Sequence, residues 1–359
     1  MKILFRVDSG SHVGSGHVIR CLNLAINLRR QKFDIHFVCR NHKNNISSYI
    51  KENGFDVTEL ASSDDNIEPT DSNKWLGVSQ LDELNELNDL IGRFSDVELL
   101  IIDHYSINRS LEEKIKVKRI MVIDDIHRSH SADILLDQNL SARVDRYKDK
   151  NIFSEAKYLC GPTYALLNSK FSDIRSEVII SSSCKRILIY FGATDLSRES
   201  LKVAHAALLE ECSARYEMKF ILSDKHQDYD SLLEISEQND KINLVSFSND
   251  MANEMFNCDI CFGASGSTSW ERISLMKPSV VITSADNQRE ISESLRDLNL
   301  IKYLGSGFKS SVKDWQKIIR NLDLDYNDYK KMALKGKDYC DGAGARRVAR
   351  VIDEYINCN

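Results

Sequence analysis

The chain has 359 residues, of which 42% are hydrophobic and 28% are charged, and its formal net charge is −6. This length favours two domains, and the composition is ordinary for a globular protein. The negative charge argues against a nucleic-acid partner, because binding to a polyanion normally requires a basic surface. No run of about 18 apolar residues occurs, so no membrane span is expected. The opening MKILFRVDS predicts a buried strand and not a signal peptide.

The nine cysteines form no recognisable disulfide or metal pattern. Only Cys258 and Cys261 make a C-x-x-C pair, and without a second pair a metal site is not expected. Both thiols lie in or beside an apolar stretch, where buried cysteines behave as small hydrophobes. An odd number of cysteines without a framework is typical of a reducing compartment. We therefore expect a cytoplasmic protein that needs neither a metal nor a cofactor.

The first half alternates short β-branched runs with longer amphipathic runs. The predicted strands, in chain order, are MKILFRVD, DIHFVCR, FDVTEL, VELLIIDHY, KRIMVIDDI and ADILLDQN. The predicted helices between them are HVIRCLNLAINLRRQ, ISSYIKENG, WLGVSQLDELNELNDLIGRF and LEEKIKV. Such alternation implies a parallel, doubly wound sheet.

The second half repeats this style. Its predicted strands are KRILIYFGATD, YEMKFILS, INLVSFS, DICFGASGS, PSVVITS and IKYLG, with amphipathic helices between them and to the end. Polar residues and serines interrupt the pattern at 172–185, so we expect a Rossmann-like α/β domain over 1–171 and another over 185–359. The last helix could pack back on the N-terminal domain. In such sheets ligands bind outside the carboxyl ends of the strands, here expected to be the cleft between the two sheets.

Three glycine-bearing loops follow predicted strands: GSHVGSGH (10–17), FGATD (191–195) and FGASGSTSWE (262–271). The first loop does not match G-x-G-x-x-G, and no acidic residue ends the second predicted strand, where it would bind the ribose. An NAD site is therefore not expected. In the other two, small residues let backbone N–H groups approach a diphosphate, and a helix N-terminus adds partial positive charge. The alternative is an ordinary strand-to-helix turn that needs glycine.

His17 is the most informative single residue. It follows Gly16 at the start of the first predicted helix, where the helix dipole disfavours the imidazolium form. A neutral imidazole at a strand end suits a general base near pH 7. The alternative is a histidine that only decorates a helix terminus. His12 is a weaker candidate, because no helix orients it.

Other polar groups follow strands in the first half. IIDHYSI (101–107) places Asp103, His104 and Tyr105 at a strand end, as a sugar-binding rim or as a buried Asp–His pair that holds a loop. VIDDIHRSHSADILLDQN (122–139) adds Asp124, Asp125 and two histidines, whose spacing fits no metal motif. In the second half, SADNQRE (284–290) offers an asparagine and a glutamine as a helix cap or as ligand donors.

Read together, these segments resemble the UDP-sugar hydrolases of the pseudaminic acid pathway, which act on UDP-2,4-diacetamido-2,4,6-trideoxy-β-L-altropyranose. Relatives of that family include the lipid-linked peptidoglycan N-acetylglucosaminyltransferase and spore-coat polysaccharide proteins. The resemblance rests on FRVDSGSHVGSGHVIRCLNLA, LLIIDHYSI, IDDIHRSHSADILLDQN, CGPTYALLNSKF, FGATD, GASGSTSWERISLMKPSVVI and DNQ. These stretches lie in order over residues 5–288, so the resemblance covers most of the chain.

The resemblance implies a glycosyltransferase-B architecture of two Rossmann-like, doubly wound parallel-sheet domains, with the nucleotide on the C-terminal domain and the sugar facing the N-terminal one. It implies that His17 activates water, which attacks the anomeric carbon and expels UDP with inversion. Because the sequence offers no clear set of metal ligands, we expect this reaction to need no metal. Expected on the sugar side are Asp8, Gly14, Ser15, Gly16, His104, Tyr105 and Asn168. Expected on the nucleotide are Gly192, Ala193, Thr194, Ser265, Gly266, Ser267, Thr268, Glu271 and Asn287.

The chain departs from the family pattern at two places. Asn168 stands where the family usually carries arginine after YALL, and the 62–80 region and the tail after about 300 are longer, which could alter substrate choice. The expected partners are a UDP-sugar and water, with the exact sugar and the oligomeric state left open. The alternatives are a glycosyltransferase that uses an acceptor in place of water, and a sugar-nucleotide-binding protein without turnover.

Overall fold

The computed structural model describes residues 1–62, 67, 71–153, 155–192, 194–209, 215–285 and 288–357. The chain divides into two compact units, Met1–Leu167 with Ala343–Asn359, and Asn168–Gly342. The units therefore part at residues 167 and 168, a few residues before the predicted 172–185 boundary, and the last helix belongs to the first unit.

The first unit contains a seven-stranded sheet in the order β3-β2-β1-β4-β5-β6-β7, in which every pairing is parallel. Its strands are β1 (Lys2–Val7), β2 (Asp34–Arg40), β3 (Asp56–Leu60), β4 (Val97–Asp103), β5 (Ile120–Ile123), β6 (Ile134–Asp137) and β7 (Lys157–Cys160). The helices before the second unit are α1 (Gly16–Arg30), α2 (Ser47–Glu52), α3 (Gln80–Arg93), α4 (Arg109–Glu112) and α5 (Val144–Lys148).

The central strands of this sheet are buried on both faces, as their continuous apolar runs predict. Every residue of β4 is buried, including the acidic Asp103 at its end. Helix α1 places Val18, Cys21, Leu22 and Leu28 in the core on one side of the sheet, because these residues recur at the spacing of one helix face.

The final helix, α13 (Gly344–Asn357), completes the first unit. It packs beside α1 and contributes Ala345, Val348, Ala349 and Ile352 to the same core. At its start, a Cβ on Gly344 would lie 2.3 Å from the carbonyl oxygen of Ala165, so this approach requires glycine.

The second unit contains a six-stranded parallel sheet in the order β10-β9-β8-β11-β12-β13. Its strands are β8 (Arg186–Tyr190), β9 (Glu217–Ile221), β10 (Ile242–Val245), β11 (Ile260–Ala264), β12 (Ser279–Thr283) and β13 (Lys302–Ser306). Its helices are α6 (Lys170–Ile174), α7 (Glu199–Leu209), α8 (Tyr229–Glu237), α9 (Met251–Asn257), α10 (Ser267–Ser274), α11 (Arg289–Asp297) and α12 (Val312–Lys335). The predicted pair of doubly wound parallel α/β sheets is thereby confirmed.

A buried carboxylate ties α7 to α12 in this unit. Glu199 is fully buried and accepts hydrogen bonds from Nε1 of Trp315 at 2.7 Å and from Nζ of Lys202 at 2.7 Å. Within the described part of the chain, no helix has the length and apolar character needed to cross a bilayer.

Candidate active site

The strand order of the first sheet reverses between β1 and β4. β1 continues into the glycine-bearing loop that ends at α1, while β4 ends at Asp103, which lies opposite Val7 in the register of the two strands. Parallel sheets bind ligands at such a switch point, outside the carboxyl ends of the strands. The residues of both neighbouring loops therefore meet at one place.

The loop between β1 and α1 is a tight turn closed on itself. The N–H of Gly14 donates to the carbonyl oxygen of Gly10 at 2.8 Å, and Gly14 has a φ of +79°, which favours glycine. The N–H of Ser11 donates to the carbonyl oxygen of Lys43 at 3.0 Å, which anchors the loop to the segment after β2. With Ser15 as its N-cap, α1 starts at Gly16, so His17 lies in the first turn of the helix.

His17 and Asp103 form a buried hydrogen-bonded pair. Nδ1 of His17 lies 2.7 Å from Oδ1 of Asp103, and the side chain of His17 is 11% exposed. Burial alone would raise the pKa of Asp103, but Arg20 and His17 hold that pKa well below its ordinary value. Nη2 of Arg20 also lies 3.2 Å from Nδ1, but this nitrogen already donates to Oδ1 of Asp103 at 2.6 Å. The ionised carboxylate is the closer partner of Nδ1 and only accepts hydrogen bonds, so in the neutral ring Nδ1 carries the proton and Nε2 keeps the free lone pair. No residue that the structure describes hydrogen-bonds to Nε2.

Arg20 also binds the carboxylate of Asp103. It lies one helical turn after His17 and binds both oxygens of Asp103, through Nε at 2.6 Å and Nη2 at 2.6 Å. Its third nitrogen, Nη1, donates to Oδ2 of Asp125 at 2.6 Å. Burial alone would lower the pKa of Arg20, but the two carboxylates raise it well above its ordinary value. Asp103 is thereby kept ionised and in a fixed orientation.

An aromatic wall lies beside His17. The ring of Tyr105 meets the His17 ring edge-on, with 4.8 Å between centroids, and stacks on Trp75 at 5.5 Å. Burial, followed by Asp125, raises the pKa of Tyr105 well above its ordinary value. The phenol is therefore protonated, and its Oη donates to Oδ2 of Asp125 at 2.8 Å.

Asp8 and His104, both expected on the sugar side from the sequence, are buried beneath this site. Asp8 is fully buried; it accepts from Nη2 of Arg6 at 2.9 Å and from the backbone N–H of Arg40 at 2.6 Å. His104 is 2% exposed; its Nδ1 accepts from the N–H of Ser106, and its Nε2 lies 3.1 Å from Oδ2 of Asp8. These partners favour a structural role for Asp8 and His104 over direct contact with a substrate.

In the second unit, the strand order reverses between β8 and β11, and the two predicted phosphate loops follow these neighbouring strands. Gly192 and Gly266 have φ values of +92° and +111°. The first turn of α10 begins at Ser267, and the N–H groups of a helix's first turn have no acceptor within the helix. The hydroxyl of Thr268 donates to the carbonyl oxygen of Ala264 at 3.1 Å and so links the helix to the end of β11.

Two further polar side chains belong to this part of the second unit: Glu271 is the fifth residue of α10, and Gln288 precedes α11. Burial raises the pKa of Glu271 to about 7, against the lowering effect of Arg272, and Oε2 of Glu271 is buried without a hydrogen-bond partner among the described residues. Gln288 accepts from the N–H of Ser284 at 2.9 Å, and its Nε2 would lie 3.8 Å from a Cβ at Gly266. The amide of Gln288 therefore lies near the start of α10, whose N–H groups can receive an anion.

The remaining predicted residues are distributed as follows. Ser265 is buried, with its hydroxyl 3.5 Å from that of Ser269, and Thr194 is exposed. Asn168 is exposed at the start of the second unit, where its side chain accepts from the N–H of Lys170 at 3.0 Å. Ala193 and Asn287 lie outside the described residues.

The sequence prediction missed the partners of His17. Arg20 was not singled out, although it lies three residues after His17 and therefore on the same helix face. Asp103 and Asp125 were identified only as members of polar clusters, and Trp75 was not identified at all. The order of β1 and β4 in the sheet would have been needed to pair Asp103 with His17.

The chain resembles curated proteins over part of its length. It is 33% identical over 207 residues to UDP-2,4-diacetamido-2,4,6-trideoxy-beta-L-altropyranose hydrolase of Campylobacter jejuni, which covers 57% of this chain and 65% of that protein. It is 22% identical over 198 residues to the spore coat polysaccharide biosynthesis protein SpsG of Bacillus subtilis, which covers 54% of this chain and 57% of that protein. The chain spans 57% to 65% of the length of the curated relatives that it matches. No protein-family model matches it.

Among solved structures, the calicheamicin glycosyltransferase CalG4 superposes with a TM-score of 0.67 at 12% identity, covering 99% of this chain and 98% of that one. MurG of Acinetobacter baumannii superposes with a TM-score of 0.64 at 12% identity, covering 99% of this chain and all of that one. The likeness establishes a glycosyltransferase-B fold.

Proposed function

We propose that this protein is an enzyme of UDP-sugar metabolism, a hydrolase that cleaves a UDP-linked 2,4-diacetamido-2,4,6-trideoxyhexose at the anomeric C–O bond. The observation that carries this proposal is the 2.7 Å contact between Nδ1 of His17 and Oδ1 of Asp103. It leaves Nε2 as the basic atom at the switch point of the first sheet. The similarity to the Campylobacter hydrolase over 207 residues supports the choice of substrate class.

In this proposal Nε2 of His17 takes a proton from water as the water oxygen attacks the anomeric carbon. The C–O bond to the diphosphate breaks, the electron pair leaves with UDP, and the anomeric configuration inverts. The proton on Nε2 makes the ring an imidazolium, which the ionised Asp103 stabilises through Nδ1–H. UDP is a good leaving group, so a single base can suffice.

The second unit is proposed to hold the nucleotide. In this proposal the N–H groups at the start of α10 stabilise the negative charge that develops on the β-phosphate. They stabilise it more strongly than water does, because they are already oriented. Glu271, with a buried oxygen that has no described partner, is suited to accept hydrogen bonds from the two ribose hydroxyls. Gly192, Gly266 and Ser267 allow the backbone to approach the diphosphate.

The test is release of UDP from the purified protein with UDP-2,4-diacetamido-2,4,6-trideoxy-β-L-altropyranose and no acceptor. We expect UDP and free sugar in equal amounts. Release that requires an added hydroxyl acceptor would instead identify a glycosyltransferase, and binding without release would identify a sugar-nucleotide-binding protein. In this assay His17→Asn should lose UDP release. His36→Asn is the matched control for that variant, because His36 is half-buried and hydrogen-bonded to Oγ1 of Thr58 at 2.8 Å, away from His17.

A further inference from the structure

The segment after β5 holds two acidic residues, Asp124 and Asp125, that the proposed mechanism does not use. Within it, Oδ2 of Asp125 accepts two hydrogen bonds, from Nη1 of Arg20 at 2.6 Å and from Oη of Tyr105 at 2.8 Å. We propose that Asp125 is a positioning residue, whose carboxylate fixes the two side chains that hold the His17–Asp103 pair in place. This inference rests on the proposed function of His17.

The two donors act on His17 from different directions. Arg20 binds both oxygens of Asp103, so the orientation of Arg20 determines which oxygen faces Nδ1. The ring of Tyr105 meets the imidazole edge-on at 4.8 Å and limits its rotation. Oδ2 of Asp125 thus binds both Arg20, which orients Asp103, and Tyr105, which limits the rotation of the His17 ring.

Asp125 is itself held by its surroundings. Its carbonyl oxygen accepts from Nδ2 of Asn139 at 3.3 Å. The next turn of the chain is fixed by Asp124, which accepts from the backbone N–H of Arg128 at 2.8 Å. Arg128 in turn donates through Nη1 to the carbonyl oxygen of Tyr105 at 2.7 Å. Hydrogen bonds between side chains, and from a side chain to the backbone, therefore join the segment after β5 to the loop after β4.

In this arrangement Asp125 positions the base but takes no part in the proton transfer. No described contact joins Asp125 to His17, and Oδ2 of Asp125 already accepts hydrogen bonds from Arg20 and Tyr105. Without Asp125, Nη1 of Arg20 would lose a charged acceptor in a buried place, and Arg20 would reorient toward water or toward Asp103 alone. A small displacement of the base is enough to slow catalysis strongly.

The experiment compares Asp125→Asn and Asp125→Ala with the control Glu98→Gln. Glu98 also binds an arginine, Arg119, at 3.0 Å and is similarly buried, but it lies at the opposite end of β4. We expect kcat to fall about 10- to 100-fold in the Asp125 variants, with KM and the affinity for UDP unchanged. Glu98→Gln is expected to keep the wild-type kcat.

A second readout does not require activity. Nitrogen-15 NMR of the histidine rings, assigned with His17→Asn, reports which ring nitrogen of His17 carries the proton. We expect a single Nδ1–H tautomer in the wild type and a mixture in Asp125→Asn. Tyr105→Phe, which removes only the hydroxyl, should cause a smaller loss of kcat than Asp125→Asn does. In the double variant that combines these two changes, the loss of kcat should be smaller than the product of the two single losses.

A wild-type kcat together with an unchanged His17 spectrum in Asp125→Asn would overturn the inference. A loss of UDP affinity equal to the loss of kcat would also overturn it, because it would indicate general damage. If the wild type released no UDP from its substrate, the proposed function would fail, while the tautomer measurement would still decide the role of Asp125.

Discussion

Nδ1 of His17 lies 2.7 Å from Oδ1 of Asp103, although 86 positions separate the two residues in the chain. The pair forms because β1 and β4 are neighbours in a parallel sheet, so the loop after one strand meets the end of the other. This contact places the proton of the neutral imidazole on Nδ1. Nε2 is then the base in the proposed attack of water on the anomeric carbon.

The first prediction concerns the tautomer of His17. Asp103→Asn keeps the shape of the side chain but removes the charge that Arg20 and His17 share, and an amide nitrogen can face Nδ1 in place of an acceptor. We expect kcat to fall by about 10²–10⁴. Steady-state kinetics with titration of UDP binding would check this, and the affinity for UDP should stay within about twofold of wild type. A kcat close to that of the wild type would show that Asp103 does not orient the base.

The second prediction is a pH dependence of nucleotide binding. Burial raises the pKa of Glu271 to about 7. The carboxylate is therefore ionised above that pH and protonated below it. In the proposed complex the ionised form accepts hydrogen bonds from the ribose hydroxyls, and the protonated form loses acceptor capacity. We expect the affinity for UDP to weaken as the pH falls through about 7 in calorimetric titrations. Glu271→Gln should bind UDP more weakly at pH 8 and lose this dependence; an unchanged pH profile in this variant would remove Glu271 from the nucleotide site.

The third prediction concerns stability. Burial alone would raise the pKa of Asp8, but Arg6 holds it well below its ordinary value. The stability from this carboxylate is therefore present above its unfolded pKa of about 3.9 and is lost as the pH falls through the lower folded pKa. Asp8→Ala leaves Arg6 with one buried carboxylate fewer, so the free energy of unfolding at pH 7 should fall by roughly 3–5 kcal/mol.

Denaturant unfolding at pH 7 measures this difference, with Asp34→Ala as the control. Asp34 pairs with Lys2 at the surface, so its loss should cost less than about 1 kcal/mol. An equally small effect of Asp8→Ala would mean that the buried ion pairs of Arg6 do not stabilise the first unit.

The fourth prediction concerns divalent cations. In the proposed mechanism the backbone N–H groups at the start of α10 face the charge on the leaving diphosphate. UDP release should then be unchanged by dialysis against EDTA. Loss of activity in EDTA that a divalent ion restores would contradict this part of the mechanism.

The sequence pattern was sufficient for the architecture. Apolar runs such as VELLIIDHY alternate with amphipathic helices, and this local signal identifies parallel α/β units. β7 was missed because KYLC is a four-residue edge strand with only Leu159 fully buried, so its pattern is too short to recognise. The helical prediction for LEEKIKV was too long; the observed α4 ends at Glu112.

The site was predicted only in part, because its partners depend on strand order. His17 could be selected from its position after Gly16, but Asp103, Asp124 and Asp125 all lie at or just after strand ends and look equivalent in the sequence. Asp8 also follows a strand, yet it faces Arg6 inside the protein instead of a ligand. Which carboxylate meets the histidine and which one neutralises a buried arginine is decided by contacts between residues far apart in the chain.

The most direct test of the proposed hydrolysis is substrate turnover in ¹⁸O-labelled water by the wild type and by His17→Asn. The proposed mechanism predicts that the wild type releases UDP without ¹⁸O, because water attacks the anomeric carbon and not phosphorus. It also predicts that His17→Asn binds UDP normally but turns over about 10²–10⁴ times more slowly. Incorporation of ¹⁸O into UDP, or a wild-type rate in His17→Asn, would contradict it.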